Sequence, residues 1–258
     1  MKTAGEAEAH APWRGADIEI WHVDLAASGP GLLALESETP RLSHWERERL
    51  AELGGAAADE RRVAYIALRI LIERAAGEAW RGAEFMREDG GKPYLAGATF
   101  GFSLSHAPGV ALIGLLRHGA IGVDVERARV PKVGPERRAL IAEAAQALNV
   151  DKALPAAGDQ RFLQAWVRLE ALAKSRGCGI GRLLTRLGLV GRRADSAADV
   201  VQRARVAVHE VAQTVVGDVA LGDGLFAAFA AAPVGAEACV RRLPAAAGEI
   251  AALLSEGA

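Results

Sequence analysis

Residues 121–126 read IGVDVE, and residues 166–174 read WVRLEALAK. In the first stretch polar and apolar residues alternate from Val123 onward, the period of a half-buried strand. Asp124 and Glu126 therefore share one face, with Val123 and Val125 on the other. In the second, Trp166, Leu169 and Ala173 continue backward to Phe162 at helical spacing and form one apolar stripe. Glu170 and Lys174 stand a helical turn apart on the border of that stripe, and Arg168 lies on the side of the helix opposite Glu170.

Outward from this strand and helix, PERRALIAEAAQAL reads as a helix with Pro135 in its first turn. QRFLQAWVRLEALAKSRG is a helix closed by Gly177, and VAVHEV, DVALGDG and LFAAFAAA read as strands. The first half follows a similar order. IEIWHVDL alternates as a strand, and SHWERERLAEL has Ser43 and Glu46 at capping-box spacing. ERRVAYIALRILIERAAG is a helix with Val63, Ile66, Ile70 and Leu71 on one face and Gly77 as its stop. Strand-like AEFMRE, FSLSH and VALIGLL come next, split by the turns DGGKP and APG. APGVALIGLL is echoed by GDGLFAAFAAA. The expectation is an α+β protein of two pseudo-symmetric halves, residues 17–118 and 119–233, each a small antiparallel sheet packed with helices. Residues 1–16 read as a disordered tail and 234–258 as a C-terminal tail containing a short helix in EIAALLSEGA.

With 258 residues, 51% hydrophobic and 24% charged, the chain has ample material for a core. A net charge of −1 offers no bulk basic field for nucleic acid or an anionic membrane, so an anionic partner must meet a local basic patch. MKTAGEAEAHAPWRG has no apolar run and reads as neither signal peptide nor anchor, and no apolar run reaches membrane-spanning length. Two cysteines imply no disulfide framework. These features together read as a cytoplasmic protein.

Taken singly, Asp124 and Glu126 fit a solvated strand face, and Glu170 with Lys174 fits a helix-stabilising pair contributing roughly 0.2–0.5 kcal/mol. Brought together, Asp124, Glu126 and Glu170 would form an oxygen-only site of the kind that suits Mg²⁺, with Lys174 as a point charge for phosphate.

The pair IGVDVE and WVRLEALAK resembles the motifs of the 4′-phosphopantetheinyl transferases, in their single-chain, two-half branch. Three further segments agree in order: RERL around Arg49, REDGGKP from Arg87 to Pro93, and FSLSH from Phe102 to His106. The resemblance runs from about residue 18 to residue 233. It implies transfer of the phosphopantetheine arm of coenzyme A to a serine of an apo acyl or peptidyl carrier protein, with Mg²⁺, releasing 3′,5′-ADP. It further implies that Asp124, Glu126 and Glu170 hold the metal, that Glu170 is the general base, and that Lys174 contacts the pyrophosphate. Arg49, Arg87, Gly91, Lys92, Pro93, Ser103, Ser105 and His106 match the coenzyme A grip. Arg49, Arg87, Lys92 and Lys174 would supply the local basic patch, and Gly90 with Gly91 a close backbone approach. Arg69 reads as structural. A monomer is expected, because two halves would replace two subunits. One departure stands out: Leu169 occupies the position where the family usually has lysine. That departure leaves a second reading, a non-catalytic coenzyme A-binding or carrier-binding module on the same fold. A third, a Mg²⁺-dependent pyrophosphate hydrolase, is compatible with the acids alone.

Overall fold

A computed structural model describes residue 13 and residues 16–149, 151–190, 196–209, 214–222, 224–232 and 237–255. The first half contains β1 (Ile18–Asp24), α1 (Leu25–Glu38), α2 (His44–Glu52) and α3 (Ala56–Ala76). A ribbon of β2 (Met86–Arg87) and β3 (Pro93–Tyr94) then leads to β4 (Gly101–Ala107) and β5 (Val110–Leu116). Next come β6 (Ala120–Arg127), α4 (Pro135–Leu148), α5 (Gly158–Ser175), α6 (Ile180–Arg186), α7 (Ala197–His209), β7 (Val215–Asp218) and β8 (Leu225–Ala232). The chain closes with β9 (Ala238–Arg242) and α8 (Ala247–Ser255). The fold is α+β. One sheet has the order β4-β5-β1-β9 and another the order β6-β8-β7. Most of residues 1–16 lie outside the described residues.

Alternation along the strands divides the interior. In β1, Trp21 and Val23 face a core shared with α1, α3 and α8, while Ile18 and Ile20 face the second sheet. In β6, Ile121, Val123 and Val125 face the first sheet, and in β8 Ala228 and Ala230 face a core built on α4, α5 and α7. The result is four layers: helices, sheet, sheet, helices. Burial of Ile121, Val123 and Val125, each contributing about 1.5–3 kcal/mol, fixes the register of β6. A slip of one residue would drive Asp124 and Glu126 into the apolar layer between the sheets.

Local signals explain most boundaries. Ser43 and Glu46 form the expected capping box, Gly77 ends α3, and the terminal helix is present as α8. α1 forms despite its Ser-Gly-Pro-Gly stretch, because Asp24 caps Ala27 N–H and Leu25, Leu32 and Leu35 are buried. Arg69 is structural as read: it is buried, ion-paired with Glu46, and covers the Phe85 ring at 3.7 Å.

Three expectations change. VAVHEV is not a strand where it is described: Val206–His209 completes α7, and the remaining Glu210 and Val211 lie outside the described residues. The buried Val200, Ala204 and Ala207 show the helical spacing that a short apolar run conceals. DVALGDG contributes only Asp218 to β7, because a turn with left-handed Gly222 and Gly224 intervenes before β8. The first sheet is also not purely antiparallel: β9 returns from the end of the chain and pairs in parallel with β1. α8 then packs on the first-half core through Ile250.

Gly122 sets the spacing between β6 and α5. A Cβ there would lie 2.1 Å from Ala171 O and 2.3 Å from Ser175 N. Gly122→Ala should therefore cost about 1–3 kcal/mol as the helix is pushed from the strand, read as a lower urea midpoint. An unchanged midpoint would show that this approach is not tight.

Candidate functional site

β4 and β6 are edge strands of different sheets, and they meet at the site. The outward N–H groups of an edge strand need acceptors. Val123 N donates to Ser103 Oγ at 3.1 Å and Val125 N to Ser105 Oγ at 3.4 Å. The Ser105 hydroxyl in turn donates to Asp124 Oδ1 at 2.7 Å. Lys174 Nζ, from α5, donates to the same oxygen at 2.7 Å. One buried carboxylate thus ties β4, β6 and α5 together.

Beside this junction lies a cavity of about 440 Å³. α3 lines it with Arg61, Tyr65 and Leu68, and β4 with Phe102, Ser103, Leu104 and His106. α5 adds Glu170, Ala173 and Lys174, and the segment 177–180 follows. The β2–β3 ribbon closes one side with Arg87 and Gly90 to Pro93. The ribbon is anchored to the second half. A Cβ on Gly90 would fall 1.5 Å from Gly177 O, and Lys92 Nζ donates to Ile121 O at 3.0 Å and Ser175 O at 3.2 Å. Burial holds the Lys92 ammonium below its ordinary pKa.

The acids perturb one another. Burial, then repulsion from Asp124 and Glu126, pushes Glu170 up to about 7, with Lys174 opposing. Burial also raises Asp124, against attraction and hydrogen bonding from Lys174. His106 is held below its usual value by burial and by the Arg61 and Lys174 cations, with Glu60 opposing.

The structure brings most sequence-derived residues to one place. Arg87, Gly91, Lys92, Pro93, Ser103, His106, Glu170 and Lys174 line the cavity, and Ser105 and Asp124 stand directly behind Lys174. Two others lie apart. Arg49 is outside the lining, with its guanidinium on Glu52 at 2.9 Å. The Glu126 carboxylate takes two bonds of 3.1 Å from Arg129. Lys92 spends two of its three donors on backbone carbonyls, so its side chain works as a bolt across the halves. Leu169 is fully buried in the second-half core, and Arg168 is equally buried, bound to Asp218 at 2.7 and 2.8 Å. Neither reaches the cavity.

Sequence reasoning missed Arg61, Tyr65, Trp45 and Cys178 in the lining. Arg61, Tyr65 and Leu68 do carry a signal, the i, i+4, i+7 spacing of one helix face. Trp45 is 40% exposed and stacks under the Arg87 guanidinium, 4.6 Å from its ring centre, while Arg87 Nη1 donates to Gly91 O at 2.9 Å.

Among the described residues no three His, Cys, Asp or Glu side chains are gathered into a ready ligand shell. The donor chemistry nonetheless fits a hard divalent cation. Asp124, Glu126 and Glu170 are all oxygen donors, and their mutual repulsion on Glu170 is what such a cation relieves. No protein-family model matches the chain, and no curated protein matches it. Among the described residues no helix is long and apolar enough to cross a membrane.

Proposed function

We propose that the protein is a 4′-phosphopantetheinyl transferase, a cytoplasmic monomer that moves the arm of coenzyme A onto a serine of an apo acyl or peptidyl carrier protein. One observation carries this reading. Three segments far apart in sequence, REDGGKP, FSLSH and WVRLEALAK, line one cavity with cations and a carboxylate interleaved, and Asp124 of IGVDVE stands behind them on Ser105 and Lys174. That is the composition a diphosphate ester demands: cations for its oxygens and carboxylates for a metal and a proton.

In this reading the serine oxygen attacks the phosphorus that bears the pantetheine arm. The bond from that phosphorus to the bridging diphosphate oxygen breaks, and 3′,5′-ADP leaves. Glu170 takes the serine proton; a carboxyl near neutrality is matched to that task. Lys174, fixed by Asp124, and His106 face the phosphates. Arg87, held flat by Trp45 and Gly91 O, presents its remaining N–H groups at the cavity rim. Asp124, Glu126 and Glu170 would hold Mg²⁺, which when bound supplies charge neutralisation on the diphosphate. Glu126 would exchange Arg129 for the metal.

Incubation with apo carrier protein, coenzyme A and Mg²⁺ should give a carrier heavier by one phosphopantetheine group, read by mass spectrometry. If no carrier of several types gains that mass although coenzyme A binds, the protein is a binding module. Coenzyme A split without any carrier would make it a hydrolase.

A further inference from the structure

A second cavity, of about 160 Å³, lies at the start of β4 and shares no lining residue with the first. Three aromatic rings build its walls. Phe100, the residue before β4, lies 5.7 Å from Trp13 between ring centres, and meets Trp80 edge to face at 5.5 Å with an interplanar angle of 87°. Trp80 is buried on the short helical turn that follows α3. Trp13 is held by its indole N–H, which donates to Ala16 O at 3.1 Å. The rings thus come from three separate segments and are each fixed by their own surroundings. A space of this size between apolar walls holds one six-membered ring.

The polar part of the lining sets the charge of a ligand. Arg117 and His118, in the connection from β5 to β6, line the cavity with Thr99, and among the described residues no carboxylate does. Arg117 is paired with Asp17, yet Nη1 stands 3.6 Å from Asp17 Oδ1, too far for a hydrogen bond, and the two side chains are 49% and 56% exposed. Such a pair binds its partners weakly. The guanidinium makes no hydrogen bond among the described residues, so its fork is open to two oxygens of one planar anion. Aromatic walls by themselves would also suit an organic cation. An arginine at the same cavity, without a lining carboxylate, repels one.

We infer that this cavity is a second ligand site, for a small monocyclic aromatic carboxylate, with the ring among Trp13, Trp80 and Phe100 and the carboxylate on Arg117. A mostly aromatic lining with a few polar groups to one side is the usual make-up of a small-molecule site. The inference does not rest on the transferase reading, because the two cavities have no residue in common.

The test is titration of the full chain with benzoate, benzamide and benzylammonium, followed through the indole N–H signals of Trp13 and Trp80 by NMR, which W13F and W80F assign. Benzoate should shift both signals, with a Kd of about 1 mM or below. Benzamide and benzylammonium carry the same ring without the carboxylate and should bind about tenfold or more weakly. R117Q should lower benzoate affinity to that of benzamide, and R117K should recover part of the loss, as charge returns without the fork. Saturating coenzyme A should leave the benzoate shifts in place. Equal affinity for benzoate and benzamide would overturn the inference, and this comparison needs only the wild-type chain. So would wild-type benzoate affinity in R117Q, or no shift of either indole at about 10 mM benzoate. Tighter binding of benzylammonium would make the cavity a cation cage. Displacement of benzoate by coenzyme A would place benzoate in the first cavity. A peptide ending in phenylalanine that binds at least about tenfold more tightly than benzoate would assign the cavity to a protein C-terminus instead.

Discussion

Under the proposed transferase function, Glu170→Gln is expected to lower carrier modification by about 10³-fold or more, because the amide cannot take the serine proton and donates one ligand fewer to a cation. The same substitution should make the folded protein more stable at pH 8. The sign follows from the direction of the shift. The folded carboxyl titrates at about 7 against an ordinary value of 4.5, so the native state binds its proton more tightly than the unfolded chain. Wild-type stability therefore falls as pH rises from about 4.5 to 7 and is flat beyond. Glutamine carries no such penalty. The gain at pH 8 should be about 1 kcal/mol after discounting for the partly exposed side chain, and should vanish below pH 4.5. Denaturant midpoints across pH, beside carrier mass spectra, check both arms. A variant that still modifies its carrier at wild-type rate would remove Glu170 as the base.

The second large effect lies behind the site. Asp218 of β7 holds the fully buried Arg168 with two bonds and also accepts from Gln164 Nε2 at 2.8 Å. Asp218→Ala leaves a buried guanidinium without its counter-ion, at about 3–5 kcal/mol, and should lower Tm on the order of 10 °C. Replacing both residues together by leucine and methionine should recover much of the loss, since an apolar pair removes the stranded charge. Arg168 also ties α5 to β7, so under the proposed function carrier modification by Asp218→Ala should fall at temperatures well below its melting point. A loss under 1 kcal/mol would mean that water reaches Arg168.

The site was legible where chemistry and periodicity coincide. β6 and α5 each announce a buried face by spacing, which leaves Asp124, Glu170 and Lys174 on its border; that they belong to one site was what the family resemblance implied, and the structure joins Lys174 to Asp124. What the sequence could not say is how each charge is spent. Lys92 reads as a free cation after a turn, yet two carbonyls distant in sequence claim it. Arg61 sits in an ERR run that no motif singles out, and it is the position of α3 beside the cavity that gives it a place in the lining. Arg168 differs from a surface arginine through Asp218, fifty positions later, and through the carbonyls of Ala145 and Lys152, none of which its own helix announces. β9 was invisible because its residues, ACVRR, carry little alternation and its partner lies at the other end of the chain.

That last strand bears on how the protein is made. β1 is synthesised more than two hundred residues before its outer neighbour, β9. While the ribosome is still working, the nascent chain carries an open sheet edge beside Trp21, the kind of edge that invites pairing with other chains. Completion of the first sheet must wait until residues 238–242 have left the ribosome. A chaperone that shelters extended segments is therefore expected to raise the yield of the intact protein, and a chain stopped after β8 should aggregate even though every cavity residue is present.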